Sequence, residues 1–289
     1  MNYRHRFHAG NFADVMKHVL LVQLVRAMQR KEKGFFFLDT HAGRGAYDLA
    51  AAAKGDSLER APEWPGGVRK VWVQEGVSEA LREYREIVRQ FDAENGGKGD
   101  TPRFYPGSPA IARALMRVQD RVALCEKHPE EFAALEERFC FAPRTAVREM
   151  DGYAAVRAML PPLERRALVL IDPPFEAVDE FALVAGAIRE GLARLAQGVF
   201  AVWYPLTERA RIETFFAELR TLELPSTVAV ELTIAGERAG LKMRGCGVLV
   251  VNPPWKFAEA AESVAKELAR LLAVAPGGGA RVEWLVEER

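Results

Sequence analysis

The feature that most constrains this chain is the run Leu168-Val169-Leu170-Ile171, free of polar side chains and followed at once by Asp172-Pro173-Pro174-Phe175. A short strand that is apolar on both faces has to be covered on both, as parallel strands joined by crossover helices are. Phe35-Phe36-Phe37-Leu38 and Val122-Ala123-Leu124-Cys125 have the same form, and an acid follows each of them, Asp39 and Glu126. Stretches of helical periodicity separate such runs, so the expectation is a doubly wound α/β sheet.

Near the start, Asn11 is an N-cap type with Asp14 three residues on, in the manner of a capping box. Val15, Val19, Val22, Val25 and Met28 then recur on one helical face, and Arg30, Lys31 and Lys33 suit the helix C-terminus, with Gly34 to close it. From residue 50 to about 103 the alternation lapses. Turn clusters at 62–67 and 95–99 enclose a helical pattern capped by Ser78, with Leu81, Tyr84, Val88 and Phe91 on one face. Residues 50–103 therefore read as a small helical subdomain inserted in a single domain spanning 1–289. Ser108 as N-cap and Pro109 in the first turn open a helix over 110–116. Strands follow at 122–125, 145–148, 167–171 and 198–203, interleaved with helices at 129–139, 154–160, 181–195 and 207–219. Strands at 226–234 and 246–251 are joined by a glycine-rich loop, which predicts a terminal antiparallel hairpin at the sheet edge, and Gly277-Gly278-Gly279 predicts a loose C-terminal stretch.

Chemistry concentrates where the apolar runs end. After the first, Gly43-Arg44-Gly45 makes a turn tight enough for backbone to approach a ligand. Asp48 stands where a dinucleotide fingerprint has its third glycine, and no Lys-Ser or Lys-Thr completes a P-loop, which disfavours hydride transfer and nucleotide hydrolysis. Beside that turn, Glu126 is read as an acceptor for the ribose hydroxyls of a nucleoside cofactor rather than as a solvated acid at a helix start. Asp151, before Gly152, is a helix N-cap type that can also accept from an adenine amino group.

The string Asp172-Pro173-Pro174-Phe175 decides the reaction class. A carboxylate at the mouth of a buried strand is costly unless it has a partner. The prolines hold the backbone extended and carry no N–H, so their carbonyls are free acceptors. An aromatic amine is a poor nucleophile because its lone pair is delocalised into the ring. One acceptor from Asp172 and one from the Pro173 carbonyl would grip both N–H bonds and turn the lone pair toward a methyl donor. Phe175 would stack on a base extruded from its helix. Asn252-Pro253-Pro254-Trp255 has nearly the same form but follows the terminal hairpin, so it is read as a strand end or pocket wall. His18 and His41 are ordinary packing types, yet both flank one end of the cofactor if the first helix crosses the glycine turn.

Composition bounds the partners. Lys plus Arg equals Asp plus Glu, 40 against 40, so no global charge points to nucleic acid. Residues 1–33 are basic, however, and Tyr3-Arg4-His5-Arg6-Phe7-His8 mixes cations with aromatics, as RNA contacts do. Cys125, Cys140 and Cys246 have no C-x-x-C spacing, and no H-x-x-x-H pair exists, so neither a disulfide framework nor a metal site is expected. No stretch of 18 apolar residues occurs, which predicts no membrane span and a cytoplasmic protein, by default a monomer.

Several of these strings together resemble the bacterial 23S ribosomal RNA adenine-N6 methyltransferase J family. They are Tyr3-Arg4-His5-x-Phe7-His8-Ala9-Gly10-Asn11-x-Ala13-Asp14-Val15-x-Lys17-His18, Leu38-Asp39-Thr40-His41-Ala42-Gly43, Tyr105-Pro106-Gly107-Ser108-Pro109, Glu126-x-His128-Pro129, Asp151-Gly152 and Asp172-Pro173-Pro174-Phe175. The order and spacing agree along essentially the whole chain. The resemblance implies a Rossmann-like methyltransferase sheet with an inserted helical subdomain, and transfer of a methyl group from S-adenosyl-L-methionine to the 6-amino group of one adenine in 23S rRNA. It implies that His18, His41, Ser108, Glu126, Asp151 and Gly152 bind the cofactor, that Asp172 is catalytic, that Tyr3 touches RNA, and that Lys17 supports the same pocket. Phe175 departs from the commoner Tyr, which keeps stacking and loses a hydroxyl. A DNA adenine methyltransferase, an rRNA guanine amino-methyltransferase and a non-catalytic RNA-binding protein of the same fold are the alternatives.

Overall fold

The computed structural model describes residues 7–53, 61–241 and 243–287. Its first half contains α1 (Phe12–Gln29), β1 (Phe36–Asp39), β2 (Ala46–Asp48), α2 (Leu49–Ala53), α3 (Val68–Val73), α4 (Glu79–Glu94), β3 (Phe104–Pro106), α5 (Ser108–Leu115), β4 (Arg121–Glu126) and α6 (Pro129–Phe139). Then come β5 (Thr145–Glu149), α7 (Gly152–Met159), β6 (Ala167–Ile171), α8 (Glu180–Arg194), β7 (Val199–Leu206), α9 (Arg209–Arg220), β8 (Thr227–Thr233), β9 (Gly245–Val251), α10 (Phe257–Leu272) and β10 (Gly279–Val286). Among the described residues eight strands form one sheet, ordered β10-β8-β9-β7-β6-β1-β4-β5. β5, β4, β1, β6 and β7 are parallel, and β9, β8 and β10 are antiparallel to their neighbours.

The apolar runs become the central strands for the reason their sequence implies. Successive side chains point to opposite faces. Phe37, Val122, Leu124, Leu168 and Leu170 enter a core shared with α1, α5 and α10. Phe36, Leu38, Ala123, Cys125, Val169 and Ile171 enter a second core beneath α7, α8 and α9. The chain begins at β1, winds outward through β4 and β5, then returns to β6 on the other side of β1. The crevice at this reversal, above the carboxyl ends of β1 and β6, is where a doubly wound sheet binds ligands.

Several local expectations need correction. α1 ends at Gln29 with Arg30 as its cap, so Gly34 does not close it; a Cβ on Gly34 would lie 2.2 Å from the Gln119 carbonyl, and close packing explains that glycine. Asn11 does cap α1, accepting from the N–H groups of Ala13 and Asp14. Ser108 is the first residue of α5, and Gly107 is the cap. The antiparallel end of the sheet is larger than a hairpin, because the C-terminal stretch forms β10 and pairs with β8 from Gly279 to Val286. No sequence expectation covers α10, although Phe257, Ala261, Val264, Ala265, Leu268 and Leu272 bury one helical face. β2 and β3 pair antiparallel, and α2, α3 and α4 lie between them along the chain.

Candidate active site

The glycine turn after β1 is built by close approach. Gly43 and Gly45 have φ of +57° and +75°, a region side chains disfavour, and a Cβ on Gly45 would meet the Phe139 ring of α6 at 2.6 Å. The start of α7 is as tight: a Cβ on Gly152 would lie 2.2 Å from the Thr40 carbonyl. The β1 turn and the Asp151-Gly152 pair are thus pressed together at one edge of the sheet.

Asp172 follows β6 directly, and Lys17 reaches it from the crossing helix α1. The Lys17 ammonium donates to Asp172 Oδ2 at 2.6 Å and to Asp14 Oδ1 at 2.8 Å. Asp14 Oδ2 accepts the Gly10 N–H at 2.9 Å, where a capping box would have engaged the N–H of Asn11. Lys17 is 6% exposed and the Asp172 side chain 15%, so the cluster is nearly dry yet open on the Asp172 side. Burial works against the ammonium charge, but Asp14 and Asp172 outweigh it and hold the Lys17 pKa well above its usual value.

Asp39, the last residue of β1, is fully buried, and neither carboxylate oxygen has a hydrogen-bond partner among the described residues. Desolvation raises its pKa to about 7; the Ser108 hydroxyl, the Lys17 charge and the His41 N–H lie near enough to oppose this, and Asp172 adds to it. The sequence marks an acid at the end of this apolar run but not its complete burial, which depends on which helices close over β1.

The other expected site residues stand around this pair of strand ends. The Thr40 hydroxyl donates to the Leu170 carbonyl at 2.9 Å, so it accepts from His41 Nδ1 at 2.8 Å and leaves Nε2 as an acceptor. Desolvation lowers the His41 pKa to about 4 despite Asp172 and Asp151, so the ring is neutral near pH 7. Glu126 accepts three backbone N–H groups: Gly43 on Oε2 at 2.8 Å, and Lys127 and His128 on Oε1 at 2.8 and 2.7 Å. A carboxylate has roughly four lone-pair sites. What is left for an outside donor is therefore on Oε2. Asp151 caps α7 through Oδ1 and pairs with Lys127 through Oδ2, and these contacts outweigh desolvation to lower its pKa. His18 is 1% exposed, with Nδ1 at 2.7 Å from the Tyr105 hydroxyl, so it props the segment that carries Ser108 from behind. Tyr3 lies outside the described residues.

Phe175 sits half-buried at φ +51° against Phe181, 4.8 Å between centroids, and Trp203, 5.9 Å. Trp203 stands on β7, one residue past the partner of Ile171, and so adjoins Asp172. Asn252 is elsewhere. β9 runs antiparallel to β7 and pairs Val251 with Phe200, which puts Asn252 at the opposite edge of the sheet. There its amide donates to the carbonyls of Ala196 and Gly198, a structural tie for the turn before β7. Among the described residues no cluster of His, Cys, Asp or Glu is arranged to hold a metal ion, and no helix is long and apolar enough to cross a membrane.

A doubly wound sheet with a glycine turn after β1 and an Asp-Pro-Pro-Phe mouth on β6 defines a Rossmann-like methyltransferase. The model of the family described as ribosomal RNA large subunit methyltransferase D, RlmJ, matches residues 32–286, and the chain belongs to that family. It is 36% identical over 288 residues to ribosomal RNA large subunit methyltransferase J of Escherichia coli, and 37% identical over 288 residues to the protein of that name from Haemophilus influenzae, with 100% of each chain covered in both cases. A crystal structure of a Legionella pneumophila protein superposes with a TM-score of 0.84 at 34% identity, covering 96% of this chain and 98% of that one. The chain is an rRNA large subunit methyltransferase.

Proposed function

We propose that this enzyme transfers a methyl group from S-adenosylmethionine to the 6-amino group of one adenine in 23S rRNA, in the cytoplasm, as a monomer. The observation that carries the reading is the Lys17–Asp172 pair at the mouth of β6, beside the cradle of Asp39, His41, Glu126, Asp151 and Gly152.

That cradle fits the donor. The cofactor carries an ammonium, a ribose diol and an adenine. Asp39 is a buried carboxylate with no hydrogen-bond partner among the described residues, which suits a cation. Glu126 keeps an acceptor site for a hydroxyl, and Ser108 lines the Asp39 side. Asp151 offers a carboxylate acceptor at the start of α7, and Gly152 lets that start pack directly on the Thr40 carbonyl beside the β1 turn. When bound, S-adenosylmethionine supplies a methyl group activated by its sulfonium.

The chain's own residues act on the amine. Lys17 occupies Asp172 Oδ2 and so leaves Oδ1 to accept one N–H of the substrate. The Pro173 carbonyl accepts the other. With both N–H bonds held, the nitrogen lone pair would be turned out of conjugation, toward the methyl group that a bound S-adenosylmethionine would supply. The surplus proton leaves toward Asp172 Oδ1. Phe175 and Trp203 offer faces to a base lifted from its helix. Tyr3 is proposed as an RNA contact. Residues 50–103 are proposed as an inserted subdomain of a single domain, supported by the β2–β3 ladder at its two ends.

The test uses tritiated S-adenosylmethionine and protein-free 23S rRNA. Wild type is expected to yield N6-methyladenosine on nucleoside analysis, and Asp172→Ala to lose about 10²–10⁴-fold in rate. Label that enters DNA, or guanine, would refute the substrate assignment.

A further inference from the structure

Next to Asp172 stands a group of aromatic rings that the catalytic reading uses only in part. Phe175 touches Trp203 on one side and Phe181 on another, at centroid separations of 5.9 and 4.8 Å. Phe181, at the start of α8, is braced from behind by Phe215 of α9 at 4.9 Å, and Phe215 is 1% exposed. Arg211 of α9 lies over the Phe181 ring, its guanidinium carbon 5.7 Å from the centroid. The Arg211 side chain is exposed, and among the described residues its guanidinium makes no ion pair or hydrogen bond. Phe175, which links these rings to the catalytic mouth, holds a left-handed backbone that residues with a side chain disfavour. Strain of that kind persists where surrounding structure enforces it, commonly at ligand clamps.

A flipped adenine does not arrive alone; its neighbours are unstacked with it. Single-stranded RNA is held by aromatic faces and planar guanidinium groups that replace lost base stacking, and by cations near the phosphates. Phe181 supplies the face, and Arg211 the plane and the charge. We propose that Phe181 and Arg211 form a second stacking bay, one step from Phe175, for a nucleotide adjacent to the methylated adenine. This inference rests on the rRNA-adenine reading above. The alternative role for Arg211 is to shield Phe181 from water, a contact confined to the protein.

The experiment compares wild type, Arg211→Ala, Arg211→Lys and Phe181→Leu. The substrates are a synthetic RNA spanning the adenine labelled in the 23S transcript, and the same RNA with an abasic residue on either side of it. Arg211→Ala should raise KM for the intact RNA about tenfold, with kcat moving far less. One abasic neighbour should raise the wild-type KM by a similar factor and have no further effect on Arg211→Ala, because the two changes remove the same contact. Arg211→Lys keeps the charge without the plane and should restore KM only in part. Phe181→Leu should behave like Arg211→Ala while retaining the wild-type thermal response to S-adenosylmethionine. If the abasic penalty is equal in wild type and Arg211→Ala, or KM is unchanged in both Arg211→Ala and Phe181→Leu, the bay is refuted while the methyltransferase reading stands. A wild-type enzyme that leaves the transcript unlabelled refutes both.

Discussion

Asp39 and Lys17 sit on opposite sides of the same electrostatic problem. Lys17 is an ammonium drawn into the interior by two carboxylates, whereas Asp39 is a carboxylate drawn in with no hydrogen-bond partner among the described residues. The folded-state pKa of Asp39, about 7, is above its ordinary 3.8. The folded protein therefore holds a proton that the unfolded chain has lost between about pH 4 and 7, and stability contributed by this residue falls as pH rises through that window. Asp39→Asn without cofactor is expected to melt several degrees above wild type at pH 8 and close to it near pH 4, by calorimetry. Wild type is expected to bind S-adenosylmethionine more tightly at pH 8 than at pH 6, and the same variant to bind it weakly at both, by titration calorimetry. Lys17→Met should cost about 3–5 kcal/mol, the penalty for leaving a buried partner charge uncompensated. Adding Asp14→Asn should recover part of the melting temperature and none of the activity, because Asp172 Oδ2 would still lack its donor.

Elements were legible to the extent that burial alone specifies them. The strand at β6 and the helix at α6 fall where the apolar run and Pro129 require. Ser108 misleads because an N-cap type next to Pro109 looks like a cap; its hydroxyl instead faces Asp39, and Gly107 takes the cap position. β10 is only half-covered and carries Arg281 and Glu283, so its composition resembles a loop until β8 offers it an edge. At α7 the decisive contact is backbone on backbone. Gly152→Ala should push the start of α7 away from Thr40, lower the melting temperature, and eliminate the thermal shift produced by S-adenosylmethionine, measured by differential scanning fluorimetry.

On the scale of the whole molecule, strand direction sorts two near-identical strings to opposite edges of the sheet. Asp172 emerges from a parallel strand beside β1, and Asn252 from an antiparallel one. Asn252→Ala should therefore lower stability by about 0.5–1.5 kcal/mol through the hydrogen bonds lost to the carbonyls of Ala196 and Gly198, one of them exposed. It should leave the rate of rRNA methylation intact, checked by the tritium assay. The local order of residues determined the apolar strands, the glycine turn, the acids at the strand ends and the reaction class, because each rests on side-chain type and spacing over a few positions. Only the tertiary structure decided that α1 delivers Lys17 to Asp172, that Asp39 is sealed without a hydrogen-bond partner among the described residues, and that Phe181, with Arg211 over its ring, packs against Phe175. Those depend on which helices cross which strands, and chain neighbours carry no record of contacts made across 155 residues.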